Sequence, residues 1–280
     1  MRMATHPLGR GPTIAIAVAA VSMGCFAMSG RLLTAPLPNI VELKDMTWVE
    51  VRSAVQAGYT TVIVPTGGIE QNGPQMILGK HDYIVSAAAT RIAAELGHTL
   101  VAPVVSFVPQ GEYDPPTAHL RFPGTIGVSE ATFESVLDGI ARSLKTGGFK
   151  TIVFIGDHGP SQAPQAAVAA RLTAEWSRQS VRVVQIGAYY DDKPQYAKLK
   201  ADGLSLAEIG VHAGLIDTAE LLSVNSAGVK LSALPGPAPL SESTGASGNP
   251  ATATPALGAT LLDMRVAAAV AAIKSLPPSN

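Results

Sequence analysis

From Thr47 onward, short apolar runs rich in β-branched residues alternate with longer amphipathic stretches, and this alternation restricts the fold of the chain more than any other feature. The strand candidates are Thr61–Pro65, Leu100–Ser106, Thr151–Ile155 and Val181–Ile186. Each is apolar on both faces, the pattern of a strand covered from both sides. The intervening stretches Thr47–Gln56, Tyr83–Leu96, Glu130–Lys145 and Ala163–Arg178 have helical spacing, and several end at a glycine. Such alternation predicts an α/β domain, with a mostly parallel sheet between two helix layers in a three-layer α/β/α arrangement. Ligands of such sheets gather beyond the carboxyl ends of the strands, so the residues after each strand are the ones to read for function.

Pro235 to Pro255 is dense in Pro, Gly, Ser, Thr and Ala and reads as a long surface loop within the same domain. The Ala-rich stretch Ala256–Ile273 has helical spacing and is expected to pack back on the body or on a neighbouring subunit. At the other end, Arg2 and Arg10 precede an apolar run from Thr13 to Met28, shorter than the roughly 20 residues a spanning helix needs. Small residues at Ala27 and Ser29 suit a cleavage site, so residues 1–29 read as a secretory signal and 30–280 as the mature domain, exported to a periplasm or secreted, with no stable membrane span. An uncleaved anchor is the rival reading, as is lipidation at Cys25, although Ser22-Met23-Gly24-Cys25 is a poor lipidation motif.

Cys25 is the only cysteine, so the mature chain would have neither a disulfide nor a thiolate site, and any metal must take His and carboxylate ligands. Removing residues 1–29 leaves 18 basic against 21 acidic residues, and their scatter gives no basic stripe for phosphate neutralisation; nucleic-acid binding is set aside. The 47% hydrophobic and 15% charged content suits a buried core.

The first strand runs into Gly67-Gly68-Ile69-Glu70-Gln71-Asn72-Gly73-Pro74-Gln75, then Gly79-Lys80-His81-Asp82. The third runs into Gly156-Asp157-His158-Gly159-Pro160. Two such loops could converge on one ion, since Glu and neutral His are ordinary ligands of a divalent metal and three protein ligands leave a position open for hydrolysis. The spacing also fits a loop-capping Glu70, a solvated His81 and a hydrogen-bonded turn histidine at His158. A third segment, Gly210 to Thr218, sets His212 and Asp217 around a helix start, where they could serve as proton shuttle and orienting acid or simply as a helix-start turn. A fourth, Pro115 to Ile126, is a Pro-stiffened loop whose His119 and Arg121 could line a pocket.

Taken along the chain, these four segments resemble the creatininase family of creatinine amidohydrolase and its relatives in the same order, over roughly Leu43 to Leu276. The family's G-x-x-E-Q-H-G-P-H-L-P-L-x-T-D appears as Gly67 to His81, with Glu70, Gln71, Gly73 and Pro74 matching. F-P-G-T-I is matched at Phe122 to Ile126, N-G-H-G-G-N appears as Gly156 to Ser161, and H-A-G-x-x-E-T as His212 to Thr218. The resemblance implies that Glu70 and His158 are metal ligands, in a family whose better-known members hold two ions bridged by an Asp. Four departures stand out. The family's His after E-Q is Asn72, Gln75 replaces a second His, the bridging Asp is His81 with Asp82 beside it, and a ligand Glu is Pro160. Asp217 also replaces a Glu.

Asn72 and Pro160 remove most of a second metal site. The expectation is therefore one divalent ion, zinc or manganese, held by Glu70, His81 and His158. Asp82 would orient His81, or would itself ligate if the loop is shifted by one residue. The expected reaction is hydrolysis of a small cyclic or linear amide C–N bond. His212, oriented by Asp217, would donate a proton to the leaving nitrogen, and Asn72, Gln75 and His119 would contact substrate. Related proteins are multimeric, so a homo-oligomer is expected. The rival is a catalytically inactive metal- or ligand-binding protein on the same fold. A serine hydrolase is disfavoured by the absence of G-x-S-x-G.

Overall fold

The computed structural model describes residues 41–234 and 242–277; the expected export signal and residues 235–241 of the expected surface loop lie outside them. In chain order the elements are α1 (Trp48–Gln56), β1 (Thr61–Thr66), α2 (Lys80–Leu96), β2 (Thr99–Val101), α3 (Glu130–Thr146), β3 (Thr151–Gly156), α4 (Gln162–Glu175), β4 (Arg182–Gln185), α5 (Lys193–Ala201), α6 (Leu206–Ile209), α7 (Leu215–Val224) and α8 (Pro255–Lys274). The four strands form one sheet in the order β2-β1-β3-β4, every pair parallel. This is the expected α/β arrangement.

The period of two along each strand sorts side chains into two cores. Val62, Val64, Leu100, Ile152, Phe154 and Val183 face one side, where Leu137 of α3 and Leu172 of α4 cover them. Ile63, Val101, Val153 and Ile155 face the other, where Ile84 and Ile92 of α2 and Val266 of α8 cover them. Helix starts are marked chemically: Thr47 and Glu50 form a reciprocal capping box on α1, and Thr254 caps α8 with Pro255 in the first turn. α7 and α8 cross closely at Gly258, where an added Cβ would stand 1.7 Å from the Ala219 carbonyl oxygen. α8 is long and apolar enough to span a membrane by length and composition, but its buried face packs against α2 and α7.

Three boundaries differ from expectation by three residues or more, and one of them is the end of α4, at Glu175 instead of Arg178. β2 stops at Val101, and only an isolated bridge from Thr66 to Val105 continues the pairing, because Pro103 has no N–H for the ladder. α2 starts at Lys80, three residues before the expected Tyr83. Lys80-His81-Asp82 reads as a solvated loop only while its partners are unknown; Lys80 and His81 are buried against carboxylates that the fold brings in from other segments.

Candidate active site

The loops beyond the carboxyl ends of the strands converge on one half-open cleft lined mainly by polar and charged side chains. Glu70 comes from the loop after β1, His119 from the loop after β2, Asp157 and His158 from the end of β3, and His212 from the turn before α7. The N-terminus of α2 adds Lys80 and His81.

Glu70 is fully buried among four imidazoles. Its Oε1 lies 2.8 Å from His81 Nε2 and 3.8 Å from His212 Nε2, and its Oε2 lies 2.9 Å from His158 Nε2 and 3.8 Å from His119 Nε2. The His158 approach is out of line for a hydrogen bond, so both ring nitrogens of His158 and Glu70 Oε2 are buried without a hydrogen-bond partner. Orphaned buried acceptors are costly unless something absent from the polypeptide completes them, and a divalent cation fits this donor set of carboxylate and imidazole. Glu70, His119 and His212 also present one ligand atom each within 4.8 Å of one another, a group that could hold an ion.

His81 is oriented by Asp157: Nδ1–H donates to Asp157 Oδ2 at 2.8 Å, which turns Nε2 toward Glu70. A bare lone pair facing a carboxylate at 2.8 Å is repulsive, so His81 Nε2 either carries a proton toward Glu70 or would share a bound cation with it. Burial and the Lys80 ammonium push the His81 pKa down, but Glu70 and Asp157 outweigh them and raise it to about 9. Glu70 goes the other way: burial raises it, and the surrounding imidazoles hold it well below the usual carboxylate range.

Behind this wall is a buried ionic chain. Arg265 of α8 bridges Asp157 and Glu220, and Tyr189 donates to Asp157 at 3.2 Å. Lys80 Nζ pairs with Asp217 Oδ1 at 2.9 Å. Lys80, Arg265 and Glu220 were not singled out in the sequence. Lys80 occupies the Thr position of the first motif and could have been questioned there, whereas Arg265 and Glu220 lie inside ordinary helical patterns with no local mark.

The remaining expected site residues are placed as follows. Asp82 stays out of the cleft and accepts from Gly68 N–H at 3.0 Å, because successive helix residues project about 100° apart and His81 already points inward. The acid that orients His81 is Asp157, not Asp82. Asp217 does not touch His212 through its side chain; its Oδ2 accepts from Ala213 N–H at 2.6 Å and so fixes the backbone beside that histidine. Asn72 and Gln75 do not line the cleft. The Asn72 amide nitrogen lies 2.9, 3.2 and 3.3 Å from the Glu70, Ile77 and Leu78 carbonyls, and that of Gln75 donates to the Ala213 carbonyl at 2.7 Å. Both knit loops together. His119 and His212 do line the cleft, and burial lowers both imidazoles, His212 to about 4.

The sequence model of the creatininase family, described as creatinine amidohydrolase, matches residues 44–273. The chain belongs to the creatininase family. This creatininase-family chain is 33% identical over 119 residues to a mycofactocin precursor peptide peptidase of Mycolicibacterium smegmatis, covering 41% of this chain and 45% of the relative. It is 27% identical over 114 residues to a creatinine amidohydrolase of Pseudomonas putida, covering 41% and 43% respectively. The chain spans about half the length of the curated relatives it matches. A crystal structure of creatinine amidohydrolase superposes with a TM-score of 0.69 at 22% identity, over 86% of this chain and 100% of that one, which establishes the shared fold. Solved creatininases include a manganese form and a mutant of zinc–zinc type.

Proposed function

We propose that the protein is a metal-dependent amidohydrolase that cleaves the C–N bond of a small amide, using one divalent ion, zinc or manganese, held by Glu70, His81 and His158. The observation that carries this reading is the set of unpartnered buried atoms on Glu70 and His158, facing a His81 whose other nitrogen is fixed by Asp157. A carboxylate holding the far N–H of a ligating histidine is the usual support of a metal site. Hydrogen bonding favours this set over Glu70 with His119 and His212, since His212 Nε2 is taken up by the side chain and backbone carbonyl of Gln71, and His119 Nδ1 accepts from the Gln71 amide, which leaves the proton on His119 Nε2. A single ion also suits the charge around the cleft. Arg265 is shared by Asp157 and Glu220, Asp217 faces Lys80, and Asn72 and Pro160 bring no ligand, so Glu70 is the carboxylate among the imidazoles that has no Lys or Arg partner.

A divalent ion in this position supplies Lewis acidity and makes water a nucleophile near neutral pH. The chain's own residues do the rest. His212, neutral at pH 7 because burial keeps its pKa at about 4, accepts a proton from the attacking water and returns it to the leaving nitrogen. His119 stands on the same wall and contacts the scissile group.

The test is elemental analysis of purified protein together with hydrolysis of a panel of lactams, linear amides and short peptides before and after chelation. About one ion per chain and chelator-sensitive turnover are expected. Bound ion without turnover of any amide would move the protein to the binding-protein reading.

A further inference from the structure

Gln71 shares its backbone loop with Glu70, and its side chain does something the ligand question leaves unexplained. Its amide nitrogen lies 3.0 Å from His119 Nδ1 and 3.1 Å from His212 Nε2. Its amide oxygen is identified independently, because Gly73 N–H donates to it at 3.1 Å. An oxygen cannot take the place of the nitrogen without losing that bond, so the face turned to the two histidines is the NH2 group, a donor of two hydrogens. The chain leaves room for this arrangement at Gly245, where φ is +73° and a Cβ would fall 1.9 Å from Gln71 Oε1.

A neutral imidazole that accepts at Nδ1 must carry its proton on Nε2. For His119, whose side chain is partly exposed and lines the cleft, that nitrogen lies 3.8 Å from Glu70 Oε2, beyond hydrogen-bond reach. We infer that Gln71 is a positioning residue that locks His119 in the Nε2–H tautomer, so that His119 presents a hydrogen-bond donor to the oxygen of a substrate's carbonyl and is not a metal ligand. The inference rests on the proposed amide hydrolysis. A fixed donor aimed at an oxygen that gains negative charge in acyl transfer stabilises that charge without reorganisation. It also selects for substrates with an acceptor there, since a bare N–H left facing an apolar group would be unpaired.

The tautomer is read directly by long-range proton–nitrogen correlation of the histidine rings in 15N-labelled full-length protein loaded with 113Cd, with His119→Gln supplying the assignment. His119 is expected as the neutral Nε2–H form with no cadmium splitting at either nitrogen. In Gln71→Glu the amide donor becomes an acceptor, and the ring proton should move to Nδ1. Should Gln71→Glu fail to fold, the parent spectrum alone decides. An Nδ1–H form of His119 in the parent, or cadmium splitting at its ring, would overturn the inference. Splitting at His81 and His158 reports separately on the proposed ligand set. Its absence there, with His119 still in the Nε2–H form, would sink the metal assignment and leave the role of Gln71 standing.

Discussion

The two walls of the cleft carry the same residue type under opposite regimes. On the strand-end wall, His81 and His158 are buried beside Glu70, and the groups around them are charged: Asp157, Arg265, Lys80 and Asp217 form pairs inside the protein. On the loop wall, His119 and His212 keep 22% and 26% of their side chains exposed, and what holds them is a neutral amide. Buried ion pairs lose more by the removal of one partner than they add as a set, so the first wall is rigid and intolerant. A wall held by neutral hydrogen bonds costs little to rearrange and suits groups that must touch substrate and move protons. On the proposed reading, position in the fold, not residue type, separates the histidines assigned to the metal from those assigned to substrate and proton transfer.

The harshest way to break this comparison is to delete each histidine and count metal. Glu70→Ala, His81→Ala and His158→Ala should each fall from about one ion per chain to under about a tenth after dialysis against a mild chelator, because three protein ligands leave none in reserve. His119→Ala and His212→Ala should retain their ion while losing turnover by roughly 10²–10⁴-fold. Elemental analysis of the five variants checks both halves, and metal loss from the loop-wall pair would move the ion to the Glu70, His119 and His212 group.

A milder test separates the two acids that could serve His81. Asp157→Asn should weaken metal binding by about 10–100-fold, the usual cost of losing the carboxylate behind a ligating histidine. Asp82→Asn should leave affinity unchanged and cost about 1 kcal/mol of stability through the Gly68 loop and the first turn of α2. Competition titration with a zinc-sensitive dye distinguishes the pair. Equal weakening in both would mean that the helix N-terminus, not the Asp157 carboxylate, sets the orientation of His81.

This is also where the sequence was legible in one respect and mute in another. The strands could be read from composition because both faces of each are apolar, and Glu70 and His158 could be read because they follow strand ends within matched motifs. The partner of His81 could not be read. Adjacency favours Asp82, but a helix turns each successive side chain by about 100°, and Asp157 arrives from a different strand. Lys80 and Arg265 were hidden for a related reason: a buried cation looks like a surface cation until the fold supplies Asp217 and Glu220. Asn72 and Gln75 misled because they stand where the family motif has histidines, although an amide can equally tie loops together through backbone carbonyls.

The ionic wall also makes a prediction in pH. Burial raises the Asp217 carboxyl, but the Lys80 ammonium more than offsets it and the net value falls to about 2. A folded pKa below the unfolded value of about 3.9 stabilises the protein above that value, and the contribution disappears as pH falls toward the folded one. Asp217→Asn should cost about 2–3 kcal/mol near pH 7, at the lower end for a broken buried pair because a quarter of the Asp217 side chain meets solvent. The gap between variant and parent in urea unfolding should then narrow between about pH 4 and pH 2 as the parent's own carboxylate is neutralised. A gap independent of pH would assign the loss to the Ala213 N–H bond instead of the charge.

The smallest effect expected has the opposite sign on the two walls. Ala118, just before His119, has φ +45°, a left-handed conformation that costs an L-residue about 1–2 kcal/mol. Ala88 lies buried in the middle of α2, where glycine costs about 1 kcal/mol and lost packing adds to it. Ala88→Gly should therefore lower the melting temperature by at least about 2–4 °C, the shift that 1 kcal/mol produces in a chain of this size. In Ala118→Gly the strain is relieved while the unfolded chain gains about 0.4–1 kcal/mol of conformational freedom, so the melting temperature should be unchanged or rise slightly. Turnover should respond differently from stability. A glycine at 118 frees the peptide that aims His119, so kcat should fall in a protein that is no less stable, because strain that fixes a functional side chain is lost along with its cost. Differential scanning calorimetry of the two variants against the parent, with kcat measured on the same samples, decides it. A destabilised Ala118→Gly would show that the left-handed residue is already relaxed in its loop, and that Gln71 alone positions His119.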